Sequence, residues 1–163
     1  MQSIHDIVDQ CLDEFVDGIR RRHIAEGQKA TGKSIASLEK QLFDNGGLNF
    51  TAQLFGLPHL GTFDKGAGPH RKRGTDEQRA EFIRSLTEWC RVRGFPSSGL
   101  TEEQYLRTAN WLKWYIGKFG TRRHRDKALQ DKVITPEIVA FEKRLNDRLM
   151  AYFDLQFDNK FFF

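Results

Sequence analysis

The feature that most restricts the fold is a single apolar stripe near the start of the chain. Ile4, Ile7, Val8, Cys11, Leu12, Phe15 and Ile19 follow one another in three- and four-residue steps, which puts them on one face of a helix running to about Glu26. A helix that long with one apolar side has to lie on something. Gly27 is the expected stop, because glycine enters the left-handed conformation without a side-chain clash, and Gly18 weakens the middle and marks a place to bend.

Beyond a break at Thr31-Gly32 the period changes. Ile35, Leu38, Leu42 and Phe43 lead to Asn45-Gly46-Gly47, after which Leu48, Phe50, Ala52 and Leu54 alternate. Alternation behind an Asn-Gly turn predicts a hairpin whose second strand is the better specified, since Leu38 and Leu42 also keep helical spacing. A lone hairpin is not stable in water and needs a third strand or a helix against it. Residues 56–74, with five glycines and two prolines, read as a long surface loop.

Three further helices are predicted from their start signals. Thr75 and Gln78 have capping-box spacing ahead of Phe82, Ile83, Leu86, Trp89 and Cys90, and Gly94, Phe95 and Pro96 stop that element. Thr101 and Gln104 repeat the signal, with Leu100 placed to staple to Tyr105, ahead of the stripe Tyr105, Ala109, Leu112, Ile116 and Phe119. Thr135-Pro136 opens the last helix, with Ile138, Phe141, Leu145, Leu149 and Tyr152 on its inner side. The expectation is an α+β fold with a long N-terminal helix, a small antiparallel sheet and packed C-terminal helices, forming one assembly domain over residues 1–156 with an apolar tail at 157–163.

The chain of 163 residues is long enough for one such domain to bury roughly two-thirds of its unfolded surface. No apolar run approaches the roughly 20 residues needed to cross a bilayer, and the opening MQSIHDIVDQ has neither a basic start nor a continuous apolar stretch. No membrane association is expected, and the protein is expected to act in the cytosol or in an assembly built there. Cys11 and Cys90 both fall on apolar stripes, which favours buried free thiols over a disulfide framework.

Catalytic chemistry does not emerge. His5, His23, His59, His70 and His124 form no zinc-like pair with cysteine and no His-Glu-x-x-His run, so no metal and no cofactor are expected. Ala30-Thr31-Gly32-Lys33-Ser34 has the ending of a phosphate loop, but it follows a helix-like segment where such a loop follows a strand, so nucleotide binding is not expected. Gly56, Gly61, Gly66 and Gly68 make no dinucleotide fingerprint and are expected to be conformational. The paired acids Asp9 and Asp13, Asp13 and Asp17, and Glu102 and Glu103 read as solvated helix faces, and the chain is expected not to be an enzyme.

Two surfaces remain as candidates. The modest net charge of +4 is concentrated in Arg20–His23, in His70, Arg71, Lys72 and Arg73, and in Arg122–Lys127, which contains Arg122, Arg123, His124 and Arg125. The last two runs are either a solvated basic surface or a place of contact with phosphate or an acidic protein. Trp111, Trp114 and Tyr115 add a second aromatic surface to their helix, and Phe157, Phe161, Phe162 and Phe163 end the chain on aromatics. Such residues must dock somewhere, either within their own domain or at an interface between subunits.

The order of these features resembles the tail-completion, neck and minor tail proteins of tailed bacteriophages. The residues that carry the resemblance are Thr31-Gly32-Lys33-Ser34-Ile35 leading toward a sheet, the Gly/Pro-rich loop before the helix holding Trp89, and Leu112–Gly120 followed by Thr121-Arg122-Arg123-His124-Arg125. It spans roughly residues 1–152, with the family's sheet-to-helix loop matching 58–74 and its glycine-threonine turn matching Gly120 and Thr121. Lys160-Phe161-Phe162-Phe163 has no counterpart. The resemblance implies a non-enzymatic subunit of a homo-oligomeric ring near the junction of capsid and tail. Its implied partners are portal, adaptor or tail proteins, with nonspecific contact to packaged DNA. Its implied location is the virion, after assembly in the host cytoplasm. The alternative, from the basic runs alone, is a nucleic-acid-binding domain, although no zinc finger, helix-turn-helix or RNA-binding motif accompanies them.

Overall fold

A computed structural model describes residues 3–27, 32–46, 49–56, 62, 64–69 and 75–161, those of 157–161 in backbone alone. The described elements are α1 (Ile4–Ala25), the short α2 (Lys33–Ala36), β1 (Glu39–Asp44), β2 (Phe50–Phe55), α3 (Asp76–Arg93), α4 (Glu102–Phe119), the short α5 (Arg122–Arg125) and α6 (Thr135–Phe161). A 3-10 turn at Lys127–Leu129 follows α5. The fold is α+β, with the long first helix, the two-stranded antiparallel sheet and the packed C-terminal helices. Its contacts divide into two compact units. The first gathers Met1–Gly27, Ile35–Pro58 and Asp131–Phe163, and the second Gln28–Ser34 and His59–Gln130.

In the first unit α1 is defined at both ends by local chemistry. Ser3 accepts the Asp6 amide and the Asp6 carboxylate accepts the Ser3 amide, closing a capping box. Hydrogen bonds to the carboxylate from the Ser3 amide, and next from the Ser3 side chain, hold the Asp6 carboxyl below its ordinary range. Gly27 leaves the helix at φ 64°. Ile7, Val8, Cys11, Leu12, Val16 and Ile19 are buried as the stripe requires, and Phe15 sets its ring 5.4 Å from that of Phe141 on α6.

The hairpin pairs Glu39 with Phe55 through Asp44 with Phe50, and Asp44 caps its turn by accepting the Gly46 amide at 2.8 Å. Leu38, which shares helical spacing with Leu42, is buried just ahead of β1. The predicted support is a helix: Lys40 on β1 reaches Asp9 at 2.6 Å and Asp13 at 2.9 Å on α1. Partial burial pulls the Lys40 ammonium down, but these two carboxylates outweigh it and raise its pKa. The acid pair Asp9 and Asp13 is therefore a latch for the sheet.

α6 packs along α1 through charge as well as apolar contact. Glu137 is buried, and Arg22 donates to its carboxylate at 2.5 Å. Arg144 lies 3.4 Å from Glu14 and 3.7 Å from Glu137, and Arg148 donates to Glu14 at 2.7 Å and to the Cys11 sulfur at 3.6 Å. Gly18 makes the approach close enough. A Cβ there would stand 2.0 Å from the Glu137 Oε2, so this glycine is a packing position more than a weak point.

Ile138, expected on the inner side, does face α1 beside Leu12, Phe15 and Phe141, but it lines an open cleft there and stays 43% exposed. The α6 backbone stays helical across the expected boundary at 157 to Phe161.

The second unit is built on an antiparallel helical hairpin, in which Arg91 at the end of α3 is bound by Glu102 at the start of α4. Both expected capping boxes form, at Thr75 with Gln78 and at Thr101 with Gln104, and Gly94 ends α3 in the left-handed conformation. Cys90, Thr87, Tyr105 and Ala109 are buried between the helices. Both cysteines are free, and burial pushes the Cys90 thiol up. Phe82, expected inside, lies exposed at 37% along a cleft.

Candidate functional site

The candidate site lies wholly in the second unit, at the corner where α4 passes into α5. Gly120 and Thr121 make that corner. Gly120 has φ 77°, and an added Cβ there would meet the Ala67 carbonyl at 2.9 Å and Pro69 at 3.2 Å. Thr121 uses its backbone and side chain together. Its amide donates to the Ala67 carbonyl at 2.8 Å, and its hydroxyl accepts the Ala67 amide at 3.0 Å and that of His124 at 3.4 Å. The described part of the Gly/Pro-rich loop is thus docked on the corner.

Gly66 and Gly68 are what let the loop come so near. A Cβ at Gly66 would be 2.5 Å from the His124 amide nitrogen, and one at Gly68 would be 3.1 Å from the His124 ring.

The basic run beyond Thr121 divides by role. Arg123 turns its guanidinium to the Leu129 carbonyl, while Gln130 donates to the carbonyls of Arg123 and His124, so these residues close the short helix. Arg122, His124 and Arg125 are exposed. Arg125 lies 5.2 Å from the centre of the Tyr115 ring. His70, Arg71, Lys72 and Arg73 lie outside the described residues, as do Phe162, Phe163 and the side chains of Phe157 and Phe161.

The aromatic surface is larger than Trp111, Trp114 and Tyr115. Trp111 stacks on Tyr115 at 5.2 Å, Tyr115 meets Phe119 at 4.9 Å, and Trp114 meets Phe119 edge-on at 6.3 Å. Phe119, assigned from spacing to the inner stripe, belongs here because α4 ends before that stripe can carry it inside. Trp111 and Trp114 remain 51% and 56% exposed. Lys118 stands 5.1 Å from the ring centres of both Trp114 and Phe119.

Beside Trp114 opens a cleft of about 830 Å³ between α3 and α4. It is floored by Phe82, Leu86 and Ile116 and edged by Arg79, Lys113 and Lys118. Sequence reading by residue type missed this cleft and its lysines. The available signal was an absence, for no Asp or Glu stands between Glu103 and Asp126. Lys113, Lys118, Arg122 and Arg125 accordingly form no ion pair among the described residues.

Other candidates are accounted for structurally. Counting back from Gly32, Gly27 completes Gly-x4-Gly-Lys-Ser, a fuller phosphate-loop pattern than its ending alone. The context is wrong for phosphate, because α1 and not a strand precedes it, α2 has only four residues, and Lys33 is bound to Glu88 at 2.8 Å. Among the described residues there is no group of His, Cys, Asp and Glu able to hold a metal, and no helix long and apolar enough to cross a membrane. No protein-family model matches the chain, and no curated protein or solved structure matches it.

Proposed function

We propose that the chain is a non-enzymatic structural subunit of a bacteriophage neck or tail-completion ring that joins the capsid connector to the tail. The observation that supports assembly is the outer side of α6. Val139, Met150 and Phe153 share that side at helical spacing, and Val139 and Met150 are 62% and 56% exposed. The same spacing continues in the sequence to Phe157 and Phe161. α6, with 27 residues, also outruns the 22 of α1, leaving Leu155 exposed near its end. Lys143 and Asn146 separate Val139 from Met150 on that side, so the apolar stretch suited to a neighbouring copy is the end of the helix, from Met150 onward. The contact between copies is assigned to the apolar end of α6, because Trp111, Trp114 and Tyr115 are interleaved with Lys118 and Arg125, which suits that surface to an anionic neighbour.

In this reading the basic corner faces an anionic surface, and portal, adaptor or tail proteins are the neighbours at the ring's rims. Native mass measurement should give a closed assembly of discrete mass, lost in Met150→Lys while circular dichroism is unchanged. An antibody to the chain should decorate the capsid-tail junction of purified particles. Monomers at every concentration, or particles that carry no label, would overturn the proposal.

A further inference from the structure

We infer that the aromatic side of α4, with the cleft beside it and the exposed arginines of α5, is a binding platform for single-stranded nucleic acid. The inference rests on the basic corner facing an anion and does not depend on ring formation.

The charge argument comes first. From Gln104 to Arg125 the chain has no carboxylate side chain, and Lys113, Lys118, Arg122 and Arg125 meet no ion-pair partner among the described residues. Such a surface takes an anion. The acidic side of α1 does not qualify as the occupant in a second copy, because it is largely neutralised already. Asp9 and Asp13 share Lys40, and Asp17 binds Arg20 at 2.9 Å.

The aromatic argument selects which anion. The cations are interleaved with rings and not set apart from them, since Lys118 lies over Trp114 and Phe119 and Arg125 over Tyr115. A duplex hides the faces of its bases in its own stack and offers only its backbone to such a surface. A single strand offers an unpaired base at every unit and a phosphate at every link, so rings and cations are engaged together. The cleft adds a place for one base off the main run. Its volume of about 830 Å³ and its apolar floor of Phe82, Leu86 and Ile116 admit a flat aromatic group. The side-chain amides of Gln78 and Asn110 supply hydrogen-bonding groups at its wall, with Lys113 and Lys118 at its edge for the phosphate.

The experiment uses the full chain and a fluorescently labelled 20-nucleotide oligo(dT), with a blunt 20-base-pair duplex and polyglutamate as competitors. Anisotropy should show the single strand binding at least tenfold more tightly than the duplex at the same salt. Trp111→Ala with Trp114→Ala should weaken single-strand binding by about tenfold or more while leaving its salt dependence in place. Lys113→Gln with Lys118→Gln should flatten the log-log salt slope by about 0.7 for each phosphate that is no longer neutralised. If the tryptophan variants lose their helical circular dichroism, the comparison of single strand with duplex on the unaltered protein still decides. Equal or tighter duplex binding overturns the inference in favour of a backbone-only surface. Binding of a fluorescently labelled polyglutamate in a parallel titration, with no oligonucleotide binding, overturns it in favour of an acidic protein partner, and binding to none of the three overturns it outright. The mass of the same sample, measured in parallel, tests ring formation separately, so either idea can fail alone.

Discussion

The α1–α6 seam and the α4–α5 corner are both rich in arginine, yet they use it in opposite ways. Along the seam Arg22, Arg144 and Arg148 each meet a carboxylate, Glu137 or Glu14, and Glu137 is buried where they converge. At the corner Arg122 and Arg125 meet none among the described residues. Charge that finds its partner inside a unit fixes how two helices pack. Charge left without one, on a surface already held in shape by uncharged contacts, is available to a ligand. The seam should therefore respond to mutation in stability, and the corner in binding.

The largest effect should come from Glu137→Ala. It leaves Arg22 and Arg144 without their shared acid at a buried position, for a loss of about 2 to 3 kcal/mol in urea unfolding. Arg125→Gln at the corner should stay within about 0.5 kcal/mol of the unaltered protein. Gly18→Ala sharpens the test. Alanine is ordinarily the better helix residue by about 0.5 to 1 kcal/mol, but here its Cβ would fall 2.0 Å from the Glu137 carboxylate. That carboxylate is the end of a flexible side chain, yet moving it breaks the pairs it makes, so Gly18→Ala should destabilise by about 1 to 2 kcal/mol. In the Glu137→Ala background the obstacle is gone and the same substitution should stabilise. If its sign does not reverse between the two backgrounds, the close approach at Gly18 does not organise the seam.

What could be read from the sequence follows the same division. The stripe of α1, the hairpin behind Asn45-Gly46 and the capping boxes at Thr75 and Thr101 were legible because each is set by residues within a turn or two of one another. Glu137 was not, since its partner Arg22 lies 115 residues away and nothing local distinguishes it from any first-turn acid. Gly18 reads from sequence as a propensity cost, and only the tertiary packing gives it a purpose. At the candidate site Arg122–Arg125 and the tryptophans were visible by type. The docking of the loop and the cleft with Lys113 were not, because they depend on which face α3 turns to α4. Ile138 and Phe82 were placed on the right faces but do not reach the core, because periodicity defines a helix face and not how tightly the neighbouring element closes over it. Phe119 falls at the end of α4, beyond the reach of the inner stripe.

A smaller effect should come from Thr121→Val. The substitution keeps the shape but removes the hydroxyl that binds the Ala67 and His124 amides, which should cost about 1 kcal/mol. Its clearer signature is local. Hydrogen exchange at the Ala67 amide should accelerate while amides in α1 keep their protection. Unchanged exchange at Ala67 would mean that the glycine contacts alone dock the loop, and that the corner owes its shape to packing.

The smallest effect concerns pH and is common to both units. Asp6 is held below its ordinary range by backbone and side-chain hydrogen bonds from Ser3, and Glu77 is lowered chiefly by a side-chain hydrogen bond from Thr75. For a carboxyl whose folded pKa is depressed, the unfolded chain binds its proton first as pH falls. The stabilisation is therefore complete above the unfolded values, about 3.9 for Asp and 4.3 for Glu, and fades as pH drops through the lower folded values. Both groups are fully exposed, so solvent screens them and the change should be slight beside that of Glu137→Ala. Ser3→Ala and Thr75→Ala should each remove part of the acid-side slope of stability between about pH 5 and 2. Because each helix start belongs to a different unit, the two losses should add. A double variant whose slope matches that of either single one would show that the caps are energetically coupled, and that the units do not answer to acid independently.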